Sequence, residues 1–308
     1  MTKDLGYNKF LFILPFDHRS SFEKGMFGVE EQGLTPEIIE KIKEEKQIIY
    51  AGFKKAVSEK IPKGLAAILV DEQFGDEILK NAIKESYVTL LTTEKSGQDE
   101  FVFEYGDQFG EHIKKYNPVF AKALVRYNPE DKQDLKNRQR ASLKKLSDFC
   151  HSNDYKFLLE VLIEALENQL LRVNGNKKRY DKELRPHLAV EVVKELQEEA
   201  IEPDVWKMEG METEEDYKAL VNQARTNGRK GVGVVVLGRG AEKEEVEKWI
   251  VNGAKVEGVI GFAVGRTIFW NPLADFTNGK TTEDDAVDRI SKNYEYYCDL
   301  FLRQKGIL

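Results

Sequence analysis

The chain has little of what metal and redox chemistry usually needs. Its 308 residues include two cysteines, Cys150 and Cys298, with no CxxC spacing, which argues against a disulfide and for reduced thiols. The four histidines, His18, His112, His151 and His187, are scattered without ligand spacing, which argues against a zinc centre. Of these, His18 falls at an expected strand end within reach of a ligand, and the others are expected on helices or the surface. Neither sign of charge dominates. The net charge of −7 is spread over interspersed acidic and basic residues, so neither a nucleic-acid face nor a membrane-binding face is expected. Long apolar runs are also missing. The N-terminal MTKDLGYNKFLFILPF passes directly into polar residues with no small-residue cleavage site, so neither a membrane span nor a signal peptide is expected, and a cytoplasmic location is. No GxSxG or Cys–His signature occurs.

What is present is a repeated alternation of two kinds of segment. Hydrophobic residues make up 41% of the chain, enough for one large core. Runs with strand character occur at 9–17, 65–72, 87–94, 119–127, 156–163, 204–210, 233–240 and 259–267. Helical stretches lie between them. Thr35-Pro36 and Asn128-Pro129 read as helix starts, Thr213 to Asp216 resembles a capping box, and Gly228 reads as the end of the helix that follows it. Strand and helix alternating about eight times predict a single (β/α)8 TIM barrel over residues 1–308. An open doubly wound sheet would want a glycine-rich turn after the first strand, and FDHRSSF has none. Two long connections, after the fifth and eighth strands, are the candidate lids.

In such a barrel the chemistry belongs at the carboxyl ends of the strands. There the sequence places Asp17 and Arg19 (strand one), Glu72 (two), Lys122 (four), Glu160 (five), Lys207 and Glu209 (six). Period-two alternation turns Val205, Lys207 and Glu209 to one face and Trp206 and Met208 to the other, so Lys207 points into the barrel mouth. Burial and a neighbouring cation such as Lys122 favour a neutral amine, which is a nucleophile towards a carbonyl. An imine needs a proton carrier, and Glu160, interrupting an apolar strand beside Lys207, is the candidate. A structural ion pair between Lys207 and Glu160 or Glu209 is the alternative reading. Asp17, Arg19, Glu72 and Glu209 are candidates for substrate binding. Gly238, Arg239, Gly265 and Arg266, on consecutive strands, suggest a phosphate site built from backbone N–H groups and a guanidinium. Carboxylates at Asp17, Glu72, Glu160 and Glu209 leave a magnesium site open.

FDHRSSF, ILVDEQFG, AKALVRYNP, FLLEVLI, DVWKMEG and GFAVGRTIF, in this order, resemble the class I aldolase group of the tagatose-1,6-bisphosphate aldolase type. They are most similar to its branch of 2-deoxy-5-keto-gluconate-6-phosphate aldolases, which also occurs fused to a sugar kinase. The resemblance runs from Phe10 to Leu273, and departs where strand six continues as EGME rather than into proline. It implies that Lys207 forms a Schiff base, that Glu160 is its acid and base with Lys122 assisting, and that Gly265 and Arg266 hold phosphate. No cofactor is then needed, because the iminium is the electron sink. The implied partner is a small phosphorylated keto sugar or sugar acid, with a homo-oligomer allowed. The alternatives are a tagatose-bisphosphate or sulfofructose-phosphate aldolase, a magnesium-dependent lyase or isomerase, and a non-catalytic barrel that binds a sugar phosphate.

Overall fold

The computed structural model describes residues 5–30 and 33–308, so the first four residues of the N-terminal stretch lie outside it. Eight parallel strands close into one barrel in sequence order: β1 (Leu11–Pro15), β2 (Ala66–Val70), β3 (Val88–Thr92), β4 (Phe120–Arg126), β5 (Lys156–Leu162), β6 (Val205–Glu209), β7 (Gly233–Leu237) and β8 (Val259–Ala263). All eight expected strands are present. The observed strands stop short of several expected ends, because the chain leaves the ladder where its polar residues begin.

The longer helices are α1 (Pro36–Glu59), α2 (Glu72–Lys84), α3 (Phe109–Tyr116), α4 (Gln133–Ser152), α5 (Arg185–Glu198), α6 (Glu214–Ala224), α7 (Lys243–Ala254), α8 (Arg266–Thr277) and α9 (Glu283–Gln304). The start of α1 follows its sequence signal: Pro36 needs no N–H there, and Thr35 Oγ1 accepts the Ile38 N–H at 3.3 Å. Its buried face carries Ile42, Ile49, Phe53 and Ala56. At Gly52 an added Cβ would stand 2.5 Å from Ile290 Cγ2, so glycine is what lets α1 approach α9. No helix among the described residues is long and apolar enough to cross a membrane.

Three local expectations are corrected. Asn128-Pro129 does not open α4, which begins four residues later. Asn128 instead shapes a turn, its Oδ1 accepting the Glu130 N–H at 3.1 Å while its Nδ2 donates to the Glu164 carbonyl at 2.9 Å. Helix α6 ends at Ala224, before Gly228, which takes φ +85° in the turn beyond. The connection after β8 is no open loop: most of it is α8, with Pro272 inside. Proline has no N–H for the Ile268 carbonyl one turn back, and Asn293 Nδ2 from α9 donates to that oxygen at 2.8 Å instead.

Inside the barrel the side chains form a floor and a polar layer. Leu11, Ile13, Ala67, Leu69, Leu90, Phe120, Leu158, Val205 and Val235 pack together, with Tyr7 closing them from below, its ring 5.1 Å from that of Phe120. Trp206 and Met208 join the separate core between strands and helices, as alternation requires. Above the floor, the next inward positions of β4, β5 and β6 carry Lys122, Glu160 and Lys207.

Candidate active site

Register brings the charged side chains together. Glu160 and Lys207 are direct partners across β5 and β6. Lys207 Nζ lies 2.8 Å from Glu160 Oε2, and Lys122 Nζ lies 3.0 Å from the same oxygen. Lys122 also reaches Asp17 Oδ2 at 2.9 Å and pairs closely with Glu94 just beyond β3. The Thr92 hydroxyl donates to Asp17 Oδ2 at 2.9 Å. The result is a buried cluster of two ammonium groups and three carboxylates. Lys122, Lys207, Glu160 and Glu94 are all less than a tenth exposed.

The cluster shifts its own titrations. Burial alone would raise the Asp17 carboxyl, but the charges of Lys122, Lys207 and His18 outweigh it and hold Asp17 well below the usual carboxylate range. The same contest lowers Glu160, with Lys122 and then Lys207 prevailing over burial and over repulsion from Asp17. Burial works against the Lys122 ammonium, yet Asp17, Glu160 and Glu94 push its pKa well above the ordinary lysine value. His18 goes the other way. Burial, with Arg266, Lys207 and Lys46 adding to it against Asp17, lowers its pKa to about 4, so the imidazole is neutral at pH 7.

A cavity of about 410 Å³ opens over this cluster at the carboxyl ends of the strands, lined among others by Asp17, His18, Lys122, Glu160 and Lys207. Its wall beyond β7 and β8 is made by Gly238, Arg239, Gly240, Gly265 and Arg266. Two of these glycines are required. A Cβ at Gly265 would stand 2.3 Å from the Pro15 carbonyl oxygen, and one at Gly240, which has φ +69°, would stand 2.3 Å from Arg266 Nη2. Arg266 Nη2 donates to the Arg239 carbonyl at 3.0 Å. The N-terminus of α8 therefore meets the cavity beside a guanidinium that has no carboxylate within ion-pair distance among the described residues.

Other expected site residues stand differently. Glu72 is turned away from the cavity. Asp71 accepts the Phe74 N–H at 2.8 Å as the N-cap of α2, which puts Glu72 on the first turn of that helix, with His112 Nδ1 and Lys115 Nζ each at 2.6 Å. Glu209 points inward as expected but is covered, accepting the Ile163 N–H at 2.8 Å and lying 2.9 Å from Arg239 Nε. Burial pushes its pKa up, against Arg185 and Arg239. Arg239 lines the cavity while paired with Glu209 and, at 3.1 Å, with Asp181. Arg19 borders the cavity, its guanidinium bound to Glu104 and to the Glu94 carbonyl. Of the four carboxylates of the magnesium reading, Asp17 and Glu160 share Lys122 while Glu72 and Glu209 lie apart, and no group of three His, Cys, Asp or Glu side chains among the described residues is placed to hold a metal ion.

The sequence reading missed the segment after β3. Residues 94–104 form a small hairpin, with Lys95 N–H donating to the Val102 carbonyl at 2.8 Å and Glu104 N–H to the Thr93 carbonyl at 3.0 Å. It overhangs the cavity, joined to Ser20 by Ser96 (Oγ to Oγ 2.9 Å) and to Arg126, whose Nη1 donates to the Gln98 carbonyl at 2.8 Å. The expected lid after β5, residues 165–183, does not line the cavity, although Glu164 just before it does. Alternation had a signal for Glu94, since Leu90, Thr92 and Glu94 share a face.

A family model described as an uncharacterized protein conserved in bacteria (DUF2090) matches residues 2–305. The chain belongs to this family. Among curated proteins, tagatose 1,6-diphosphate aldolase 1 of Enterococcus faecalis is 24% identical over 190 residues, 60% of this chain and 57% of the relative. The tagatose 1,6-diphosphate aldolase of Staphylococcus epidermidis is 25% identical over 204 residues, 64% of this chain and 57% of the relative. The chain thus spans a little over half the length of these curated relatives. Among solved structures, fructose-bisphosphate aldolase from Plasmodium falciparum superposes with a TM-score of 0.64 at 16% identity, covering 96% of this chain and 90% of that one. A Schiff-base-forming fructose-1,6-bisphosphate aldolase does so with a TM-score of 0.57 at 14% identity, covering 94% of each. At these identities the structural likeness concerns the fold. This member of the DUF2090 family is a TIM barrel built like those aldolases and distantly related in sequence to the tagatose type.

Proposed function

We propose that the protein is a class I aldolase that cleaves a phosphorylated keto sugar or keto sugar acid through a Schiff base on Lys207. The observation that carries this reading is the shared Glu160 oxygen, 2.8 Å from Lys207 Nζ and 3.0 Å from Lys122 Nζ at the floor of the cavity. The aldolase names of the distant relatives support it.

The chemistry follows from proton positions. Lys207 gives a proton to Glu160 and its amine adds to the substrate ketone. Glu160 then returns that proton to the carbinolamine hydroxyl, which leaves as water, and the iminium forms. With three carboxylates around two lysines, the proton released by Lys207 has an acceptor inside the cluster, while Lys122 stays charged and holds Asp17, Glu94 and Glu160 in place. The iminium draws in the electrons of the carbon–carbon bond β to its nitrogen-bearing carbon. An aldehyde leaves, and the enamine of dihydroxyacetone phosphate is left on Lys207. Protonation of the enamine carbon and hydrolysis release the second product.

Phosphate belongs at Gly265, Arg266 and the N-terminus of α8, where N–H groups and a guanidinium favour an anion, with Gly238 and Arg239 forming the adjacent wall. The substrate we favour is 2-deoxy-5-keto-gluconate 6-phosphate, giving dihydroxyacetone phosphate and malonate semialdehyde. Tagatose 1,6-bisphosphate is the second reading, favoured by the names of the relatives, and turnover of each compound separates the two.

The test is to incubate the protein with dihydroxyacetone phosphate, reduce with borohydride and map the adduct by mass spectrometry. A reduced adduct on Lys207, absent from Lys207→Ala, is expected. No adduct, with binding of the ligand shown separately, would refute the imine mechanism.

A further inference from the structure

Glu94 is a buried charged group of the cavity to which the sequence reading gave no role. It borders the cavity, and one carboxylate oxygen is held by Lys122. Its other oxygen, Oε2, is buried and meets no donor among the described residues. A buried acceptor left unpaired costs free energy, and one kept beside a cavity is open to a donor from a ligand or to a catalytic role. The position is also rigidly built. The Glu94 carbonyl accepts from the buried Arg19, and its backbone pairs with Phe103 across the hairpin.

Topology says which part of a ligand Glu94 meets. The barrel runs in sequence order, so the end of β3 lies across the mouth from β7, with the β6 lysine between the anion wall and the cluster. A substrate with its phosphate at Arg266 and its carbonyl carbon at Lys207 therefore directs its remaining carbons towards β3. Glu160, bonded to both lysines, serves the nitrogen side of the same substrate.

We propose that Glu94 is a second catalytic carboxylate, the base that takes the hydroxyl proton of the departing carbon and the acid that then protonates the enamine. This rests on the imine reading above. In the cleavage step the O–H bond breaks towards Glu94 and its electron pair becomes the second bond of the aldehyde carbonyl. The carbon–carbon pair moves into the iminium, which becomes the enamine. The aldehyde departs, and Glu94 delivers the same proton to the enamine carbon, so the C–H bond forms where the C–C bond was. The carboxylate is regenerated and atoms and charge balance.

The reverse of the last step is measurable without any aldehyde. Wild-type protein should exchange a hydroxymethyl proton of dihydroxyacetone phosphate with D2O, followed by proton NMR, and should give the borohydride-reduced Lys207 adduct. Glu94→Gln keeps an oxygen for Lys122. It is expected to form the adduct in wild-type yield, which also shows that its site is folded, while exchange falls at least ~100-fold, as loss of a general base does. Wild-type exchange in Glu94→Gln would overturn the proposal. Loss of the adduct in Glu94→Gln would also overturn it, because Glu94 would then act through the lysines. Absence of the adduct from the wild type is a different result, the failure of the imine reading itself.

Discussion

Lys122 is the keystone of the buried cluster, and replacing it with methionine tests the electrostatic account directly. The substitution preserves side-chain volume and removes one charge. Asp17 and Glu94 each lose the ammonium they hold, and Glu160 keeps only Lys207. Breaking a buried pair from one side costs about 3–5 kcal/mol, because the partner is left desolvated and uncompensated. At about 2.1 cal/mol/K per residue, a 308-residue chain unfolds with an entropy of roughly 0.65 kcal/mol/K, so Tm should fall by about 5–8 °C near neutral pH.

The pH dependence is the sharper part of this prediction. In the wild type Asp17 and Glu160 titrate below their unfolded values, so the stability they contribute is present above about pH 4 and lost as pH falls through their folded pKa values. In Lys122→Met the carboxylates repel one another and burial is unopposed, so their folded pKa values rise above the unfolded ones. Stability present below about pH 4 is then lost as pH rises. The gap between wild type and variant should accordingly widen from about pH 4.5 to about pH 7.5. Thermal melts followed by circular dichroism at four or five pH values measure it. A gap equal at both ends of the range, or a loss of under about 1.5 °C at neutral pH, would refute the reasoning that Lys122 is held by charge.

Two further predictions concern the helices around the barrel. Glu45 on α1 is buried, accepts the Thr277 hydroxyl at 2.6 Å and has its pKa raised by burial to about 7, so it lowers stability as pH rises from about 4.5 through 7. Glu45→Gln should melt with the wild type at pH 5 and higher than it at pH 8, by at most about 3 kcal/mol; identical melting curves at pH 8 would count against a protonated Glu45. Asn293→Ala leaves the Ile268 carbonyl in the proline-interrupted helix without its donor and should cost about 1–3 kcal/mol in thermal melts, and no change would mean that the carbonyl finds another donor.

The strands and the inward direction of Lys122, Glu160 and Lys207 were legible because each rests on a periodicity of two within a few residues. That signal ends with the strand. Asp71 and Glu72 look alike as acidic strand ends, yet Asp71 caps α2 and the helical turn carries Glu72 round to His112 and Lys115. Glu209 keeps the right face, but Arg239, in a left-handed conformation at φ +53°, folds over it. Asn128-Pro129 has the composition of a helix start, and the amide side chain of Asn128 went to a tertiary carbonyl instead.

What no local pattern carries is the ratio of charges in the cluster. Lys122 meets Asp17 across 105 positions of sequence and Glu94 across 28, and both carboxylates lie just past the ends of their strands. Closing the barrel brings them within reach, because β1 must return to β8 and thereby sets Asp17 over the floor that β4 shares. Asp17 and Glu94 surround Lys122, and Glu160 lies between the two lysines. In the mechanism proposed above, Lys122 remains a cation while Lys207 passes its proton to Glu160. The division of labour proposed for two lysines that look equivalent on their strands rests on which of them closure surrounds with Asp17 and Glu94.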